Sequence, residues 1–258
     1  MSPKQFCRND LCLSYTDDGE KTGYPVLVQH GLIASIEDEG LFGRLLNLGH
    51  RVISIARPGY GDSSPCLLDS FAGWADLAVH VAGELGLPRF DLLGTSSGAP
   101  YAYSIAAGFP DRVRNVFIFS GIPALYDERV LAGWPYLPIK NTNMAELEAL
   151  AHEWFFSGLA EADLKQKHYR DSMRNHGFGV AQDLKLRFAD WGFRLDQVRA
   201  RVWMRHSRTD DSVPFQTAVR TAELLPDCRL ELVETGPHFS PEALDEFIEK
   251  TMLGNIGR

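Results

Sequence analysis

The stretch Phe90-Asp91-Leu92-Leu93-Gly94-Thr95-Ser96-Ser97-Gly98-Ala99-Pro100-Tyr101-Ala102 joins an apolar run, a G-x-S-x-G turn and a helical segment that continues to Gly108. In that strand–turn–helix setting the motif has a mechanical meaning. A sharp turn holds the central serine in a strained backbone conformation and lifts its hydroxyl above the sheet. The residues two before and two after it must be small, because they nearly touch. This register selects Ser96 as a nucleophile. Ser97 sits where its backbone N–H, at the start of a helix, can face an oxyanion.

The rhythm extends in both directions. Val26-Leu27-Val28 ends in Gln29-His30-Gly31, and Arg51 to Ala56 carries Val52-Ile53-Ser54-Ile55. Val113 to Phe119, Val202 to Met204 and Leu230 to Val233 are further apolar runs of the kind that parallel strands, buried on both faces, display. Leu11, Leu13 and Tyr15 alternate with polar residues as in a half-exposed strand, with a turn at Asp17-Asp18-Gly19. Between the runs lie helical periods. Phe71, Trp74, Leu77, Ala78, Val81 and Leu85 recur at spacings of three and four before Gly86, and Val213 to Leu225 and Ala243 to Leu253 behave alike. Ser240-Pro241-Glu242 has a hydroxyl cap, an early proline and an acid near the positive dipole end. Strand–helix alternation predicts an α/β fold, a mostly parallel sheet with helices on both faces. It fails only across residues 122–197, a long aromatic-rich stretch of helical patterns without a strand. Most crossovers are far shorter. The expected division is therefore a core of residues 1–121 and 198–258 with a helical cap, 122–197, inserted in it.

At the G-x-S-x-G element the chain resembles the α/β-hydrolase family. His30-Gly31-Leu32 is similar to that family's H-G-x element and Arg57-Pro58-Gly59-Tyr60-Gly61-Asp62-Ser63 to its R-P-G-Y-G-x-S loop. Gly98-Ala99-Pro100-Tyr101-Ala102 continues the elbow as G-G-P-Y-A does in relatives. The resemblance implies an oxyanion hole built from the backbone N–H groups of Leu32 and Ser97, and no H-G-G-G stretch is present to suggest the lipase variant. It also implies that His30 braces its loop rather than carrying protons. A serine at the elbow argues against the relatives that use aspartate on epoxides or haloalkanes.

A serine hydroxyl needs a base in hydrogen-bonding reach. The family's order is serine, acid, histidine. His238 follows the last apolar run and precedes the final helix, which puts it on a loop beyond a strand end. His50, His80, His152, His168 and His176 lie in helical or loop contexts and are expected to be solvated. The acid is sought in His206-Ser207-Arg208-Thr209-Asp210-Asp211-Ser212-Val213-Pro214, which resembles the family's H-G-x-x-D-x-x-V-P. Counting back four from Pro214 indicates Asp210. Ser207 replaces the usual glycine, which leaves Asp211 as an alternative, and Asp127 is the next acid to consider.

The formal charge of −8 disfavours nucleic acid and anionic membrane partners. No run approaches the roughly 20 apolar residues of a membrane span, and the N-terminus lacks the apolar core of a secretory signal. Cys7, Cys12, Cys66 and Cys228 are scattered and are expected to be reduced thiols of a cytoplasmic protein. No H-E-x-x-H or similar spacing is present, so neither metal nor cofactor is expected. The sequence thus points to a serine hydrolase acting on an ester or related acyl bond of a small, apolar molecule. A slow-turnover receptor, or a C–C bond hydrolase, lactonase or perhydrolase on the same scaffold, remains open. The oligomeric state is not indicated.

Overall fold

The computed structural model describes residues 2–136, 139 and 141–253. Eight strands form one sheet in the order β1-β2-β4-β3-β5-β6-β7-β8. They are β1 (Lys4–Arg8), β2 (Leu11–Asp18), β3 (Pro25–Gln29), β4 (Arg51–Ile55), β5 (Phe90–Thr95), β6 (Val113–Phe119), β7 (Arg201–Ser207) and β8 (Cys228–Val233). The β1–β2 and β2–β4 pairs are antiparallel and all others parallel. The expected mostly parallel sheet is therefore present.

Side-chain alternation explains why both faces are covered. Leu27, Leu92, Val116 and Ile118 point into one apolar cluster with α2 (Phe71–Glu84) and α3 (Ala99–Gly108). Their neighbours Val26, Val28, Leu93, Phe117 and Phe119 point into a second cluster with α1 (Glu39–Asn47) and α9 (Pro241–Met252). A strand with period two can satisfy both only if each face meets helices. Because the central strands run parallel, the segments that follow β3, β5, β6, β7 and β8 all emerge at one edge. Catalytic groups of open α/β sheets gather at such an edge.

Residues 120–200 connect β6 to β7 without a strand among the described residues. They carry α4 (Glu128–Leu131), α5 (Met144–Phe155), α6 (Glu161–Leu164) and α7 (Lys167–Leu186), while α8 (Phe215–Glu223) lies between β7 and β8. The backbone of α7 breaks at Arg174–Gly177, where Asn175, His176 and Gly177 have φ of 51°, 57° and 76°. Leu147, Ala151 and Phe156 pack with Val180, Ala181 and Leu184 in a third apolar cluster that also takes in Tyr60 and Ile36.

Three expectations are corrected. Strand β1 was not anticipated, because its residues are almost all exposed and carry no apolar alternation. Cys7 and Cys12 are not thiols: they are partners across the β1–β2 hairpin and form a disulfide. Pairing across a hairpin brings together residues whose sequence spacing matches no familiar motif, and the expectation of a reducing compartment loses two of its four supports. His50 is buried rather than solvated, and its Nδ1 lies 3.2 Å from the Tyr24 carbonyl. Burial lowers its pKa, so the neutral ring donates that bond. His80, His152 and His176 are exposed. Among the described residues no helix is long and apolar enough to cross a membrane.

Cys228 is one of two free thiols, and burial, with Asp227 nearby, pushes its pKa up to about 12. A thiol with that pKa is about 10⁻⁴ ionised at pH 8, and only the thiolate reacts. Brief iodoacetamide treatment of the native protein at pH 8, read by peptide mass spectrometry, is expected to leave Cys228 unmodified. Labelling at the rate of the unfolded control would contradict the burial argument.

Candidate active site

Ser96 stands at the turn between β5 and α3 with φ +49°, in the left-handed region that ordinary residues avoid. The turn is tight enough that a Cβ on Gly98 would lie 1.9 Å from the Gln29 carbonyl oxygen, and one on Gly94 would lie 3.0 Å from that of Gly98. Two glycines are thus the condition for the strained serine, and the strain places its hydroxyl at the sheet edge.

His238 arrives there from the loop after β8. Its Nε2 lies 2.8 Å from Ser96 Oγ, and its Nδ1 lies 2.8 Å from Asp210 Oδ2 and 3.1 Å from Oδ1. With Nδ1–H donating to the carboxylate, Nε2 is left as the acceptor for the serine proton. The His238 side chain is 20% exposed and that of Asp210 is 0% exposed. The buried carboxylate is fully engaged: Oδ1 accepts from the backbone N–H groups of Ser212 (2.9 Å) and Val213 (2.8 Å). Burial by itself would raise its pKa, but hydrogen bonds from His206 and His238 and from the Val213 N–H outweigh it and hold the carboxyl far below the ordinary range.

Asp211 is exposed and accepts from the Ser212 hydroxyl (3.0 Å). Asp127 caps α4 through the N–H groups of Arg129 and Val130. The structure therefore brings Ser96, His238 and Asp210 together and leaves the two alternative acids elsewhere. Ser207, the residue in place of the usual glycine, does not displace the acid loop. Its hydroxyl donates to the Gly236 carbonyl (2.8 Å) and accepts from the Thr209 N–H (3.2 Å), tying the acid loop to the histidine loop.

The loop after β3 is held from behind. Arg57 donates to the carbonyls of His30 (2.7 Å) and Gly31 (2.9 Å), and the Tyr60 hydroxyl donates to that of Leu32 (2.9 Å). Three consecutive carbonyls of this loop are thereby engaged by Arg57 and Tyr60. Leu32 and Ser97 both border the cavity that contains Ser96 and His238. His30 is buried against Tyr60, with one ring nitrogen 2.9 Å from the Gly31 carbonyl and the other accepting from the Arg57 N–H (3.4 Å). Burial, with the Arg57 charge beside it, pushes its pKa well down, and a neutral ring with both nitrogens engaged braces the loop.

The cavity above Ser96 measures about 640 Å³, in the range of small-molecule sites. Trp134, Tyr136, Trp154, Phe155 and Phe188, from the segment between β6 and β7, form much of its apolar wall. Among the described residues no group of three or more His, Cys, Asp or Glu could hold a metal ion.

A serine at positive φ, a histidine hydrogen-bonded to it and to a buried acid, and a largely apolar cavity thus stand together at one edge of a mostly parallel sheet. The family model described as "Alpha/beta hydrolase family" matches residues 26–250, and the chain belongs to that family. Among curated relatives, it is 24% identical to a 2-hydroxy-6-oxononadienedioate/2-hydroxy-6-oxononatrienedioate hydrolase of Pseudomonas putida, over 90% of this chain and 87% of that one. It is likewise 24% identical to a 2-hydroxymuconate semialdehyde hydrolase of the same species, over 87% and 83% of the two chains. Among solved structures, an esterase from Exiguobacterium antarcticum superposes with a TM-score of 0.73 at 22% identity, covering 96% of each chain. That last likeness shows the fold.

Two features of the site were not legible in the sequence. His206 was visible only as a motif position, yet its Nε2 lies 2.8 Å from the Val213 carbonyl and 3.2 Å from Asp210 Oδ2, which makes it a second donor on the acid. Arg187 follows the end of α7 in Leu184-Lys185-Leu186-Arg187-Phe188 and borders the cavity, whereas Lys185 two positions earlier is exposed. Nothing in that run distinguishes the two cations.

Proposed function

We propose that the protein is a serine hydrolase that cleaves a carboxylic ester through an acyl-enzyme, with Ser96 as nucleophile, His238 as base and Asp210 as its orienting acid. The observation that carries the proposal is the unbroken hydrogen-bonded line from Ser96 Oγ through both nitrogens of His238 to a buried carboxylate. In the forward step His238 Nε2 takes the Ser96 proton as Oγ attacks the carbonyl carbon. The oxyanion is met by the backbone N–H groups of Leu32 and Ser97, and Asp210 stabilises the imidazolium. The imidazolium then protonates the departing alkoxide. A water molecule, deprotonated by the same nitrogen, releases the acid and restores Ser96. In this reading residues 122–197 act as a cap whose aromatic side chains select the substrate.

A second reading, hydrolysis of a C–C bond next to a ketone, is favoured by the activities for which the two Pseudomonas putida relatives are named. Fluorophosphonate labelling followed by turnover separates the possibilities. Label is expected on Ser96, and an activated ester is expected to be consumed repeatedly, typically at about 1 s⁻¹ or faster. Turnover confined to a 2-hydroxy-6-keto dienoate would move the assignment to the C–C reading. Label that stalls at one equivalent with both substrates would leave a receptor.

A further inference from the structure

We infer that Arg187 is an anion-recognition residue and that the substrate carries a carboxylate a few bonds from the carbonyl attacked by Ser96. The inference rests on the hydrolase reading above and adds the chemical class of the molecule.

The residue is only 9% exposed, and it borders the cavity. Its Nη2 donates to the Ser97 hydroxyl at 3.2 Å, and its Nε is buried without a hydrogen-bond partner among the described residues. A guanidinium has five N–H donors in a fixed fork that matches a carboxylate. Here one weak neutral acceptor is supplied.

A nearby carboxylate does exist, and its engagement is informative. Asp183 lies in α7 one turn before Arg187, but each of its oxygens is already taken. Oδ1 accepts from Arg57 Nε (3.3 Å) and the Tyr101 hydroxyl (2.5 Å), and Oδ2 accepts from Arg57 Nη2 (2.5 Å), with the Tyr60 oxygen 3.1 Å away. Burial, reinforced by the Asp183 charge, pushes both phenols well up in pKa, so they stay neutral. Arg57 thus holds this carboxylate and Arg187 feels it only through space, so two buried guanidinium groups stand against one carboxylate and the cluster holds one net positive charge beneath an otherwise largely apolar cavity. Burying an uncompensated charge is costly, and such arrangements concentrate at functional sites.

A purely structural role would be to neutralise the carbonyl end of α7. The guanidinium's hydrogen bond goes instead to Ser97, the neighbour of the nucleophile. Among the described residues the carboxylate that borders the cavity is Asp38, and it caps α1 by accepting from the Gly40 N–H (3.1 Å). Contact with Ser97 also sets the geometry: an anion on Arg187 lies close to the reacting carbonyl, which suits half-esters of short dicarboxylic acids.

The test compares 4-nitrophenyl hydrogen succinate and hydrogen glutarate with the butyrate and valerate esters, in which a methyl group replaces the carboxylate. The wild-type protein is expected to favour the anionic esters by at least about tenfold in kcat/KM. Arg187→Met is expected to lose about 100-fold on the anionic esters, the scale of a charge-assisted pair, and no more than a few-fold on the neutral ones. Arg187→Lys is expected to regain part of the preference. Equal losses on both series, or no wild-type preference, would overturn the inference.

Binding is read separately by the fluorescence of the cavity tryptophans in Ser96→Ala, with monomethyl glutarate against methyl valerate. Tighter binding of the anion without ester turnover would keep the anion site and remove the esterase reading. Turnover of neutral esters without anion preference in either assay would do the reverse.

Discussion

Replacing Ser96 by alanine is expected to lower kcat on an activated ester by about 10⁴-fold or more, while Ser97→Ala stays within about tenfold. The backbone at position 96 sits at positive φ whichever small side chain it carries, so the alanine variant removes the hydroxyl and little else. His238 Nε2 then faces a methyl group at the point where Oγ lies 2.8 Å away. Ser97 contributes its backbone N–H, which alanine retains. Its hydroxyl is the partner of Arg187 (3.2 Å), so the residual cost is expected to fall on anionic substrates. Steady-state kinetics with both variants, alongside fluorophosphonate labelling, provides the check. A Ser97 variant that loses activity while Ser96→Ala retains it would reverse the register of the G-x-S-x-G element.

Asp210→Asn is expected to cost about 10⁴-fold in kcat, against a few-fold for Asp211→Asn. Asparagine keeps the shape and one oxygen, but its amide donates where the carboxylate accepted. The histidine can then turn to the tautomer that protonates Nε2, which cannot take the serine proton. The acid also contributes to the fold. Its folded-state pKa is depressed, so the ionised form favours the native state above the unfolded value of about 3.9, and that contribution fades as acid carries the pH down toward the folded value. The asparagine variant forfeits it, so its kinetics must be compared at temperatures below its own unfolding transition, measured by circular dichroism. A crippled Asp211→Asn beside an active Asp210→Asn would move the acid by one residue. Activity retained in both would remove the carboxylate from the proposed mechanism.

Short-range rules made much of this molecule legible before its fold was known. The apolar runs at Val26, Val52, Leu92 and Val116 became parallel strands because both of their faces had to meet helices. The helix after the elbow ran from Ala99 to Gly108 as its pattern indicated, and Ser240 caps α9 through the Ala243 N–H. The glycines at 94 and 98 could be read as a steric requirement because the contact they permit is local to one turn.

What remained hidden was which buried polar group meets which. The Cys7–Cys12 bond depended on a hairpin whose first strand has no apolar signal, and the burial of His50 depended on the Tyr24 carbonyl beside it. Asp210 could be separated from Asp211 only once the loops after β7 and β8 stood together, with Ser207 tied to Gly236 and His206 turned onto the acid. Arg187 and Lys185 look alike in sequence, yet one sits under the cavity and the other faces outward, because the end of α7 is seated against Ser97. Hydrophobic periodicity encodes which face of an element turns inward, since burial of apolar area is non-directional and accumulates residue by residue. Hydrogen bonds and charge pairs depend on distance and angle between elements far apart in the chain, so the partners of Asp210 and the cation beside Ser97 were decided by the tertiary structure alone.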